Sequence, residues 1–174
     1  MSTFLFDSRD DRCKTPFGAV PTDDVVTFRV FLPISYQLRE PALLVYKADR
    51  WDSPERIPMH YEASDGVSCS YTCIFYSPDP QLYFYLFEVA GVNGKMRIAR
   101  DQDGFGVLQP QGGEMWQLTV YDKAMRAPEF MKNGILYQIF PDRFCASGEP
   151  KSGVPSDRRL HRDWYELPEY LPDR

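Results

Sequence analysis

Apolar and polar residues alternate with a period of two through most of the first two-thirds of the chain, and clusters of turn residues separate the runs. Residues 25–32 give the clearest case: Val26, Phe28, Val30 and Leu32 share one face, and Thr27 and Arg29 share the other. The same rule predicts strands over 42–48, 68–76, 95–100 and 115–121, a short edge strand over 3–8, and a strand over 56–62 whose Pro58 suits an edge. The run 82–89 is apolar on both faces, with Leu82, Phe84 and Leu86 on one and Tyr83, Tyr85 and Phe87 on the other. One of those faces must pack a core, and the other must be covered or bind something. Asn93-Gly94 carries the signal of a tight hairpin after it. Residues 9–24, 49–54 and 101–114 read as loops. Phe17, between Pro16 and Pro21, is expected to be tucked under the first, and Trp51 to project from the second.

About eight short strands separated by turns predict an all-β domain, an immunoglobulin-like β-sandwich over residues 1–122. Residues 123–133 form a charged linker. The next run changes character: Ile135-Leu136-Tyr137-Gln138-Ile139-Phe140 is almost wholly apolar, bounded by Gly134 and Pro141, and followed by Asp142-Arg143. Such a run reads as a strand of a parallel sheet, buried on both faces. A parallel strand needs a crossover and a neighbour, and the remainder to residue 174 is charged and proline-rich. Residues 135–140 are therefore expected to be the first strand of a larger unit that starts at 134 and is incomplete at 174.

Composition supports a β-rich chain. Fifteen prolines in 174 residues exceed the usual share of about 5% and disfavour long helices. Hydrophobic residues make up 43%, enough for a core, and aromatics 15%. The net charge of -5, without a basic stripe, excludes nucleic acid as a partner. No run approaches the roughly 18 apolar residues of a membrane span, so no membrane association is expected. The first residues lack the cationic and apolar regions of a secretory signal, which implies a cytoplasmic protein. Cys69 and Cys73 sit about 13 Å apart along one strand, too far to bridge, and the four cysteines are read as reduced structural thiols. With no Cys-x-x-Cys pair and only His60 and His161, no metal site and no cofactor are expected. Asp101-x-Asp103-Gly104 lacks the further ligands of a calcium loop and reads as a turn.

Sugar binding is one chemistry to weigh for the exposed aromatics. A pyranose presents apolar C–H faces, so its site needs exposed aromatic platforms flanked by hydrogen-bonding groups. Trp51, amid Asp49, Arg50 and Asp52, fits this best, with Tyr83, Tyr85 and Trp116 as further candidates.

The motif at 134–144, the preceding Trp116–Lys123 stretch and the tail at 160–173 together resemble the α-amylase family, glycoside hydrolase family 13, in the region where a sandwich precedes the catalytic barrel of neopullulanase- and cyclomaltodextrinase-like members. Pro16–Pro21 and Asp101–Gly104 also resemble that group's sandwich. The resemblance implies that 134–174 is the start of a (β/α)8 barrel. Tyr137, Gln138, Asp142 and Arg143 would then be architectural residues of its first strand. In that family the two catalytic carboxylates of the retaining mechanism, about 5–5.5 Å apart, lie on later barrel strands, so no catalytic residue is expected in this chain. Trp164 and Tyr165 would belong to the rim of the active site. The implied role is a non-catalytic N-terminal domain of an intracellular α-glucan glycosidase that positions maltodextrin substrate, supports the rest of the barrel or mediates a homodimer. The alternatives are a carbohydrate-binding module acting alone and a structural protein-interaction domain.

Overall fold

The computed structural model describes residues 5–132, 134–140, 148–149, 152–153, 155–156, 163 and 165–166. The chain divides into two units, Met1–Arg126 and Ala127–Arg174. The first is built from eleven strands: β1 (Lys14–Thr15), β2 (Val20–Pro21), β3 (Val25–Pro33), β4 (Arg39–Lys47), β5 (Arg50–Pro58), β6 (His60–Ser64), β7 (Ser68–Tyr76), β8 (Gln81–Gly91), β9 (Gly94–Arg100), β10 (Gly106–Gln109) and β11 (Trp116–Tyr121). They form two sheets, β1-β3-β7-β6 and a larger one around β8, which together make the β-sandwich.

Strand β8 organises the larger sheet. Along one edge it pairs antiparallel with β4, from Tyr83 to Ala90. Along the other edge, Gln81–Tyr85 pair with β11 and Phe87–Gly91 pair with β9. A strand with both edges paired and both faces apolar belongs at the centre of a sheet.

The core forms where the inner faces meet. Phe28 on β3 packs edge-on against Tyr85 at 4.8 Å, and Phe75 on β7 against Tyr83 at 5.1 Å. Phe6 is fully buried and lies 4.7 Å from Phe87 and 4.8 Å from Trp116. Such tilted and edge-to-face pairs add to the gain from burial alone. Cys13 and Cys73 lie in this core, where burial pushes their thiols up to about 11 and about 12, and the three described cysteines are free. On the outside of the smaller sheet Arg29 spans β7 to clamp Glu62, with Nε–Oε2 at 2.5 Å and Nη2–Oε1 at 2.7 Å. That fork holds the Glu62 carboxyl below its usual range.

The strand pattern holds for 25–32, 42–48, 68–76, 82–89, 95–100 and 115–121, and differs elsewhere for physical reasons. The expected edge strand at 3–8 is not a strand in its described part. Leu5 O instead accepts from Phe31 N, and Phe6 O from Gly106 N, so the segment bridges both sheets. Gly106 permits this approach: a Cβ there would stand 2.9 Å from Ile98 Cγ2 and 3.0 Å from Phe6 Cβ. The expected strand at 56–62 is two strands, parted at buried Met59 where the chain crosses from the larger sheet to the smaller. Trp51 lies not on a loop but on β5, whose Pro54 and Pro58 are tolerated because only β4 pairs with it. Phe17 is 63% exposed rather than tucked in. Buried Lys14 reaches instead into that loop and donates to Pro16 O and Gly18 O.

The second unit holds one 3-10 turn, Glu129–Met131, in its described part. The expected strand at 135–140 makes no ladder: Ile135, Leu136, Tyr137, Gln138, Ile139 and Phe140 are all exposed, Ile135 at 96%. Strand propensity is not enough to make a strand outside a ladder, so the run stays irregular here. Asp142, Arg143, Cys145, His161 and Trp164 lie outside the described residues.

The Tyr85 hydroxyl is buried without a hydrogen-bond partner, and burial pushes its pKa far up. Desolvating an unpaired hydroxyl costs about 1–3 kcal/mol. Tyr85→Phe should therefore raise the midpoint of urea unfolding and stabilise the protein by about 1 kcal/mol. A lower midpoint would mean that the hydroxyl is bonded in solution.

Candidate carbohydrate-binding face

Three of the four sequence candidates for sugar contact do not form one platform. Tyr83, Tyr85 and Trp116 are 4%, 1% and 4% exposed, and all point into the core. Tyr83 spends its hydroxyl on Ser77 Oγ at 2.7 Å, and Trp116 stacks on Tyr85 at 5.7 Å. This corrects the expectation of exposed platforms there. The reason is the period of two: on β8 the alternating faces were equally apolar, and only the opposing sheet decides which one is inside.

The other face of β8 is the informative one. Phe84 pairs with Tyr46 on β4 and with Gln117 on β11, so these three side chains share the outer face of the larger sheet. Trp51 folds over this row from β5. Its ring lies 4.9 Å from Phe84 and 6.4 Å from Tyr46, the latter nearly parallel at 29°. Tyr46 is buried and Phe84 half-buried, while Trp51 remains 50% exposed. The indole is thus braced from beneath and open above. An aromatic held this way presents a fixed apolar plane at little loss of rotamer entropy. Close to it in sequence, the Asp49 carboxylate accepts from Gln81 Nε2 at 3.2 Å. Further along the same face, Glu88 takes Arg56 Nε and Lys95 Nζ, each at 3.1 Å. Burial works to raise the Glu88 pKa, but these two cations outweigh it and hold the carboxyl below its usual range.

Sequence reasoning expected Trp51 to be exposed, as it is, and missed Tyr46 and Phe84 as its support. The signal was present in the apolar second face of 82–89, which required a cover.

Among the described residues no group of three or more histidine, cysteine or acidic side chains could hold a metal ion. The Asp101 carboxylate is committed to the turn, accepting from the N–H groups of Asp103 at 3.0 Å and Phe105 at 2.7 Å. No helix among the described residues is long and apolar enough to cross a membrane.

No family model matches the chain. It is 28% identical over 184 aligned residues to an amylopullulanase of Thermoanaerobacter thermohydrosulfuricus, a match covering 97% of this chain and 12% of that protein. It is 27% identical over 123 residues to neopullulanase 2 of Thermoactinomyces vulgaris, covering 68% of this chain and 21% of the relative. Among solved structures, a cyclomaltodextrinase aligns with 75% of this chain and 23% of its own, at 20% identity and a TM-score of 0.46. The chain therefore spans about an eighth of the length of the amylopullulanase that it matches.

Proposed function

We propose that this chain, whose sequence is similar to the N-terminal region of an α-amylase-family glycosidase, is a non-catalytic domain that holds α-glucan for such an enzyme. The observation that carries the proposal is the half-exposed Trp51 braced on Phe84 and Tyr46. Such a plane suits the apolar face of a glucopyranose unit. The site is open, as binding along a polymer requires. The test is a titration of the protein with maltoheptaose and β-cyclodextrin, followed by tryptophan fluorescence. The expected result is a saturable change. A flat response at millimolar sugar overturns the proposal and leaves the sandwich as a scaffold.

Residues 134–174 are proposed as the start of the catalytic barrel, with Tyr137, Gln138, Asp142 and Arg143 in its first strand. The support is the row of exposed apolar side chains from Ile135 to Phe140. Water-exposed runs of this kind mark a surface meant to be covered. A variant lacking residues 127–174 should keep a folded sandwich and self-associate less than the full chain. Identical sizing-column behaviour of the two would count against that assignment. The enzyme's linkage preference would be set in the barrel, and its homodimerisation and cytoplasmic location stay parts of the same proposal.

A further inference from the structure

Beside the aromatic platform, and sharing Phe84 with it, lies a cleft of about 510 Å³. Its walls carry Arg9, Gln102, Asp103, Gly104, Met115 and Gln117. Gln117 stands directly opposite Phe84 in the β8–β11 ladder, as Tyr46 does on the β4 side. At about 4.8 Å between strands, the row Tyr46, Phe84, Gln117 runs roughly 10 Å, so the cleft continues the platform rather than opening elsewhere. The platform offers a ring plane with few polar atoms. The cleft offers amides, a carboxylate and a guanidinium beside Phe84 and Met115.

The walls are held in place before any ligand arrives. The Asp7 carboxylate grips Arg9 through Nε at 2.9 Å and Nη2 at 3.3 Å, and the guanidinium lies over the Phe105 ring at 4.9 Å. The turn 101–105 is closed by the Asp101 carboxylate and pinned to the core where Trp116 Nε1 donates to Gly104 O at 3.0 Å. Gly104 has φ +94 and packs against the Arg9 guanidinium, where an added Cβ would lie 3.6 Å away. A pre-organised polar wall loses little entropy on binding.

The charges identify the kind of ligand. Arg9 already has Asp7, and Arg100 on the same wall has Glu114 at 2.7 Å. Asp103 adds a further carboxylate. Cations that carry their own counter-ions make a poor anion site. Paired guanidinium, amide and carboxylate groups suit a neutral ligand with many hydroxyls.

We infer that this cleft is the hydrogen-bonding subsite of the binding face, taking the sugar units of a linear gluco-oligosaccharide that extend past the unit stacked on Trp51. The inference rests on the platform reading above. It means that affinity grows with chain length, because a short sugar covers the indole alone while a longer one also enters the cleft.

The test uses the full chain, labelled with nitrogen-15 and titrated with maltose and with maltoheptaose. Maltoheptaose should shift the Trp51 indole N–H and the backbone amides of residues 102–104 and 117 along one binding curve. Asp103→Ala and Gln117→Ala should each weaken maltoheptaose binding about fivefold, the loss of one good hydrogen bond. If the indole shifts while the amides at 102–104 and 117 stay still, the cleft is not a subsite and the platform reading survives. Wild-type affinity in both variants overturns the cleft in the same way. If neither the indole nor the amides respond, the platform and the cleft fall together.

Discussion

Phe87→Ala should remove about 3–5 kcal/mol of stability, the largest loss expected from any single truncation in the sandwich. Phe87 is fully buried at the centre of β8. Its ring meets Phe6 at 4.7 Å, Tyr85 and Trp116 at 6.1 Å, and Phe28 at 6.3 Å. Those partners come from the N-terminal segment, from both sheets and from three strands. Collapse around the missing ring would require all of them to move, so the cavity stays largely open. Cavity size is what sets the cost within a substitution type. Marginal domains hold roughly 5–15 kcal/mol in total, so the variant should unfold at a much lower urea concentration. A shift below about 1 kcal/mol would mean that the core around Phe87 repacks freely.

Trp51→Ala should weaken maltoheptaose binding roughly thirtyfold or more, because a central aromatic anchor typically carries at least about 2 kcal/mol of an interface. Its effect on folding should be small. Trp51 is half-exposed on an edge strand, and its removal uncovers Phe84 and Tyr46 without opening the core. The two measurements separate binding from stability. Trp51→Phe, which keeps an aromatic plane on the same support, should recover part of the affinity. If Trp51→Ala binds like the parent, the platform is a packing feature only. If it fails to fold, the recovery by Trp51→Phe decides the matter, since that variant retains the stacking on Phe84.

The contrast between Trp51 and Tyr85 shows how far a binding site can be read from a string of residues. Both are large aromatics and both lie in strands. Trp51 stands among Asp49, Arg50 and Asp52, a composition that only an exposed edge tolerates. Tyr85 stands in a run where every neighbour is apolar, so either face could have been the inner one. Hydrophobicity identifies a buried strand without stating which side faces the other sheet. The cleft beside Phe84 was still less visible. It joins residues near 9, 84, 103 and 117, which no local pattern links. The missed strand β10 belongs to the same class: Gly106–Gln109 is too short to show alternation, and it forms because β9 offers an edge and Gly106 lets Phe6 approach.

The order of residues alone determined that this chain makes a two-sheet β-sandwich, that its densest strand is apolar on both faces, and that an apolar run unlike the rest begins at Gly134. Those properties follow from local periodicity and turn chemistry, which act over a few residues. Tertiary structure alone decided which aromatics are core and which form a platform, that the chain changes sheets at Met59, and that residues 135–140 stand exposed outside any strand. Each of these depends on what lies opposite a side chain or beside a backbone edge. Such neighbours come from distant parts of the chain, where local periodicity has no reach.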